Sequence, residues 1–149
     1  MITIKPIVAT DHIEAMAPLW VDHREELTTN KELMVLKPDM ETYIRLEDGG
    51  HLLSLGAFDG NLLVGYSLNI NHPMLHYADV MACQNDVLYL DPAYRLGSAG
   101  LRLIRTTERA AKEAGCDIML WHAKYDTSLF ALLEKMKYRT QEAIFTRVL

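Results

Sequence analysis

The sequence predicts an α/β protein with its elements in the order β-α-α-β-β-β-α-β-α-β. Three observations carry that prediction. Val87, Leu88, Tyr89 and Leu90 form a short apolar run that meets a Gly-rich turn, which opens directly into an amphipathic helix. Two strand-like runs, 51–58 and 61–70, flank Asp59-Gly60, a strong tight-turn pair. Helical and strand periods then succeed one another without internal repeats, linkers or low-complexity tracts.

Taken in order, Ile2, Ile4 and Ile7 alternate as a first strand that ends near Thr10-Asp11. Asp11 is a candidate N-cap, with Glu14 three residues on completing a capping-box pattern. The helix that follows carries Ile13, Met16, Ala17 and Trp20 on one face, and Pro18 is expected to kink or split it. Residues 28–37 carry no assignment. A second helix is expected from Pro38-Asp39 through Arg45, ended by the polar run 47–50. In the hairpin's second strand, Leu62, Val64, Tyr66, Leu68 and Ile70 are expected on one face, with Gly65, Ser67 and Asn69 on the other. Residues 71–84 read as a long, irregular or partly strand-like connection. After the strand at 87–90, Leu101, Ile104 and Ala111 mark a helix of about four turns that ends at Gly115. Residues 116–123 read as a buried strand. Asp126, Thr127 and Ser128 offer N-caps to a helix with Leu129, Leu132, Leu133 and Met136 at i, i+3, i+4 and i+7. Residues 144–148 read as a final strand, apolar enough to pair with a second copy as a homodimer.

At 149 residues the chain is one domain, long enough to bury roughly two-thirds of its unfolded surface. Half of it is apolar and 23% is charged, an ordinary globular composition. No apolar run is long enough to span a bilayer, and the N-terminus lacks signal-peptide architecture, so a cytoplasmic protein without membrane contact is expected. Cys83 and Cys116 have no metal-type spacing and read as buried free thiols. A net charge of −5 argues against a nucleic-acid partner.

The turn itself carries the chemistry. Arg95, Gly97, Ser98 and Gly100 fall within six residues, between a strand and a helix N-terminus. Glycines let backbone approach a ligand closely, and the first helical N–H groups lack partners and sit at the positive end of the macrodipole. A phosphate group satisfies both. The chain has no GxxxxGK[ST], and its glycine spacing is not GxGxxG, so a P-loop nucleotidase and a doubly wound dinucleotide fold are excluded.

Arg95-Leu96-Gly97-Ser98-Ala99-Gly100, preceded by Asp91-Pro92-Ala93-Tyr94, resembles the acetyl-CoA pyrophosphate loop of the GNAT acetyltransferase superfamily, [Gln/Arg]-x-x-Gly-x-[Gly/Ala]. Ser98 stands where that family usually has its middle glycine. The element order agrees with that family, so the resemblance covers essentially the whole chain. It implies a twisted, mostly antiparallel sheet with a splayed parallel pair and helices on both faces. It also implies an acetyl-CoA-dependent N-acetyltransferase acting on a primary amine of a small molecule or protein. By the same resemblance, residues 95–101 (Arg95, Leu96, Gly97, Ser98, Ala99, Gly100 and Leu101) hold the pyrophosphate. Main-chain groups of Leu88, Tyr89 and Leu90, facing the 118–122 strand, hold the pantetheine and thioester.

Basic residues Arg102, Arg105, Arg109 and Lys112 read as a solvated helix face, from which Arg102 or Arg105 could also reach the CoA phosphates. Asp86, four residues before Leu90 and expected on the same face, resembles the strand carboxylate that some members use as general base. Gln84 could orient the acceptor. Leu133 occupies the position where many relatives have an acidic tyrosine, so Tyr125 or His122 is expected to substitute, or the thiolate leaves unassisted. That missing tyrosine supports an alternative reading, a catalytically weak acyl-CoA-binding or interaction protein. His72, His76 and Tyr77 are candidates for lining an acceptor pocket. With Asp79 they make no metal-ligand spacing, so no metal is expected.

Overall fold

The computed structural model describes Met1–Leu149. Five strands form one sheet in the order β1-β2-β3-β4-β5: β1 Ile2–Pro6, β2 Leu52–Asp59, β3 Leu62–Met74, β4 Tyr77–Leu90 and β5 Ile118–Leu120. The first four are antiparallel, and β4 and β5 are parallel. The helices are α1 Ile13–Leu27, α2 Met40–Asp48, α3 Ala99–Glu113 and α4 Ser128–Lys135. No helix is long and apolar enough to cross a membrane.

Helices cover both faces, as expected. On one, α1 buries Met16, Leu19 and Trp20 against Phe58, Leu63, Tyr66, Leu68 and Tyr89, and Tyr43 of α2 packs at the edge. On the other, Ala99 of α3 packs with Ala57, Val64 and Leu90. The split of Leu63 and Val64 between these clusters corrects the expected alternation. A bulge between Ala57 and Phe58 places an extra residue in β3, so Leu63 rather than Val64 shares the face of Tyr66. Gly65 beside it is required by close approach. A Cβ there would lie 2.7 Å from the Tyr89 carbonyl oxygen and 2.8 Å from Leu90 Cδ1. Gly65→Ala is therefore expected to destabilise the chain by about 2 kcal/mol in urea unfolding, the cost of overpacking against backbone that has nowhere to go.

The α1 entry also differs from expectation. Asp11 caps nothing: a 3-10 turn over Ala9–His12 precedes α1, and His12 at the N-cap makes no side-chain capping bond to the helix. Glu47 of α2 does that work from a distance, accepting from Ala9 N, Thr10 N and Thr10 Oγ1. Pro18 does not split α1, which runs unbroken because burial of Met16, Leu19 and Trp20 around it offsets one lost hydrogen bond. For α2, Asp39 accepts from Thr42 N at 3.1 Å, and the helix continues past Arg45 to Asp48. At α4, Thr127 supplies the cap by accepting from Phe130 N.

Three strand expectations need correction. Residues 71–84, read as irregular or partly strand-like, are strand nearly throughout: they form the outer part of a long β3–β4 hairpin, turning at 75–76. Pro73 is tolerated there because β2 ends opposite Ile70, which leaves that side of β3 an edge, and a register shift sits at Pro73/Met74. The strand expected over 116–123 is three residues long, because the Asn85 side chain replaces the ladder at His122. Residues 144–148 form no strand. Ile144, Phe145 and Val148 are 73%, 94% and 60% exposed, and a short apolar run without a neighbouring strand to pair with does not make a strand.

Candidate active site

Between β4 and β5 the sheet opens. Main-chain pairing stops at Gln84↔Leu120, and next along the strand Asn85 bridges to the His122 backbone through its side chain. Immediately beyond, the β3–β4 register jumps from Asn69↔Asn85 to Leu68↔Val87, which makes Asp86 the extra residue of a bulge. A cleft of about 1280 Å³ occupies the opening, with Asn85, Asp86, Val87 and Leu88 as its floor. The inserted residue corrects one expectation. Asp86 does not share a face with Leu90: it lies with Tyr43 and Leu68 on the α1/α2 side, while Leu90 packs with Val64 and Ala99 on the α3 side.

Solvent reaches Asp86 through the cleft, yet the surrounding walls exclude enough water to push its carboxyl above the usual range, with His122 pulling partly the other way. A carboxylate so raised is a better proton acceptor than an ordinary surface aspartate. Leu88 lines the cleft; Tyr89 and Leu90 are buried, and the Leu90 carbonyl already accepts from Arg95 Nε at 2.6 Å.

The Gly-rich turn lies past the end of β4. None of the backbone N–H groups from Leu96 through Leu101 donates to another protein group, Ser98 makes no side-chain cap, and the first turn of α3 holds no acidic residue. Gly97 has φ +92°, a left-handed conformation that a Cβ would strain. These residues fit a diphosphate: a run of unpartnered amides at the N-terminus of a 15-residue helix. The turn abuts the cleft's rim through α4, since a Cβ on Gly100 would lie 3.7 Å from Leu132, and the neighbouring Leu129, Phe130 and Leu133 line the cleft. Arg95 stands at the start of the turn, its own backbone N–H donating to the Pro92 carbonyl at 3.2 Å. Its guanidinium forms a bidentate pair with Glu26 at 2.6 Å for both bonds and lies over the Tyr89 ring, so it ties the turn to α1. Arg102 donates one terminal nitrogen to the Ile2 carbonyl, and Arg105 donates to Glu108 and Tyr138.

No family model matches the sequence, and no curated protein resembles it closely enough in sequence to match. Solved structures do match in shape. An aminoglycoside acetyltransferase, HMB0005, from an uncultured soil metagenomic sample superposes with a TM-score of 0.78 at 14% identity, over 100% of this chain and 99% of that one. A GCN5-related N-acetyltransferase from Ralstonia eutropha JMP134 gives 0.76 at 14% identity, over 99% of each chain. AAC(6')-Iy, solved with the bisubstrate analogue CoA-S-monomethyl-acetylneamine, gives 0.68 at 17% identity, over 99% and 98%. The chain has the GNAT fold.

Within that GNAT fold, Leu133 is buried in the last turn of α4, on the cleft wall, and can donate no proton. Tyr125 lines the cleft, 62% exposed, its ring 5.0 Å from Phe130, and His122 lines it beside β5. The structure thus gathers Asp86, His122 and Tyr125 around one opening. It does not bring in His72, His76 or Tyr77, which lie at the hairpin's end outside the cleft lining.

One group escaped the sequence reading. His23 of α1 lines the cleft, stacks on Tyr89 at 5.0 Å, and its Nδ1 accepts from the Tyr66 hydroxyl at 2.8 Å. Tyr66 is fully buried with no other partner, so its O–H must donate, which leaves the His23 proton on Nε2. Burial lowers His23 from 6.5 to about 4, with Glu26 pulling upward and Lys124 and Arg95 downward. The signal was available: His23 follows Trp20 by three residues and Leu19 by four, on the buried stripe of α1. Because the unfolded chain protonates this histidine first, its contribution is intact above pH 6.5 and is lost as pH falls toward 4. Acid unfolding is expected to show about 3 kcal/mol of it in that window, absent in a His23→Gln variant.

Proposed function

We propose that the chain is an acetyl-CoA-dependent N-acetyltransferase that moves an acetyl group to the primary amine of a small molecule or a protein. The observation that carries the reading is the unpartnered amide run opening α3, placed at the rim of a cleft whose floor holds Asp86. The named activities of chains with this fold, aminoglycoside acetyltransferase among them, support the class of reaction and leave the acceptor open.

Acetyl-CoA, when bound, supplies an activated thioester carbonyl. The backbone of Gly97 through Leu101 holds its diphosphate, aided by the α3 dipole. Main-chain groups near Leu88, where β4 has parted from β5, orient the pantetheine and the carbonyl oxygen. Asp86 takes the ammonium proton, directly or through one water, as the nitrogen attacks. His122 or Tyr125 returns a proton to the departing sulfur; a thiolate with a reference pKa of about 8.5 also leaves tolerably without one. His23, which lines the cleft, stays neutral at physiological pH and adds no positive charge to that wall.

The test is acceptor-dependent thiol release from acetyl-CoA across a panel of amines. Release with at least one amine class, above hydrolysis, is expected. Tight CoA binding with no acceptor-dependent release from any amine would replace this reading with a cofactor-binding protein lacking transferase activity.

A further inference from the structure

The walls of the cleft describe the acceptor. Arg24 spends its whole guanidinium on α1's neighbours: Nε donates to the Met34 carbonyl at 2.9 Å, one terminal nitrogen to the Lys31 carbonyl at 2.7 Å, and the other to Glu25 at 2.8 Å. These bonds pin the α1–α2 connection so that Met34, Val35 and Leu36 face the cleft. Their side chains are 53%, 72% and 42% exposed, an apolar strap that the core does not use. Leu129 and Phe130 of α4 line the cleft as well.

The charges are equally selective. The chain as a whole carries −5, yet the cleft lining holds five cationic side chains, Arg24, Lys37, Lys124, Lys137 and Arg139, against three carboxylates, Asp86, Glu134 and Glu142. Arg24 and Lys124 are committed to protein partners, whereas Lys37, Lys137 and Arg139 make no ion pair or hydrogen bond. Only Asp86 among the carboxylates lies on the floor; Glu134 and Glu142 share their stretch of chain with Lys137 and Arg139.

We propose that the acceptor is a primary amine with one positive charge and an apolar body, its ammonium at Asp86 and its body against the Met34–Leu36 strap. The proposal rests on the transferase reading and specifies its substrate class. A polyamine or an aminoglycoside brings further ammonium groups, which this cleft meets with unpaired cations instead of carboxylates, and like charges brought together in a partly desolvated site are rejected.

Binding tests this without requiring turnover. Phenylethylamine, spermidine and kanamycin are titrated calorimetrically into protein already saturated with CoA, whose own affinity is recorded first. Phenylethylamine is expected to bind at least 10-fold more tightly than either polycation. Val35→Ser, a change on an exposed strap, is expected to weaken phenylethylamine about 5-fold and leave CoA affinity unchanged. Lys37→Glu is expected to narrow the gap by strengthening spermidine. Equal or tighter binding of spermidine or kanamycin to the unmodified chain overturns the proposal, as does absence of amine binding. CoA affinity shows separately whether the cofactor site stands.

Discussion

Gly100→Glu is expected to lower CoA affinity at least 100-fold while leaving the folded chain as stable as before, or slightly more so. The two halves of that expectation have separate causes. A Cβ at Gly100 meets only Leu132 Cδ2 at 3.7 Å, an ordinary contact, and a helical position gains from losing a glycine. A carboxylate in the first turn of a helix is also favourable with respect to the dipole. The same carboxylate lies among the free amides of Leu96 through Leu101 and competes with, or repels, any phosphate offered to them. Gly100→Ala is the control and is expected to bind CoA nearly normally and to unfold about 0.5–1 kcal/mol later. Calorimetry with CoA and thermal unfolding of both variants check this; a Gly100→Glu protein with unchanged affinity removes the turn from the cofactor site.

Asp86→Asn is expected to reduce turnover by about 10²–10⁴-fold with CoA affinity unchanged, the range for loss of a general base. Its stability is expected not to fall. Burial raises the Asp86 carboxyl above its unfolded value, so the group favours the folded state only below that unfolded value. The advantage is lost as pH rises through the folded one, and the neutral amide escapes the penalty at pH 7. The same shift sets the pH profile. A base must be ionised to work, so kcat/KM is expected to fall on the acid side at a pH above that of an ordinary carboxylate, and the limb is expected to vanish in Asp86→Asn. An unchanged acid limb in the variant takes Asp86 out of the mechanism.

How much of this was legible in the chain depended on whether a feature was local. Asp59-Gly60, the Gly97–Gly100 turn and the Thr127 cap are local chemistry, and each is where its residues demand. Asp86 was legible as a candidate, but its face was not. A one-residue bulge between Asn85 and Val87 leaves no mark in composition or period, yet it turns the carboxyl from Leu90's side to Tyr43's. Residues 71–84 were legible only in part, as irregular or partly strand-like; they pair as a hairpin, and because β2 begins only at Leu52, opposite Ile70, Pro73 falls on an edge where proline is harmless. Residues 144–148 had the apolar character of a strand without a partner strand to make it one. Arg95 has a structural tie that its motif position does not reveal. Its position matched a phosphate loop, and its guanidinium is bound to Glu26, sixty-nine residues away in sequence.

Amide shifts of the isotopically labelled chain during a CoA titration test the central claim most directly. The largest changes are expected at Gly97 through Leu101, saturating together with smaller ones along Asp86–Leu88. Saturable binding whose changes leave Gly97 through Leu101 untouched contradicts it.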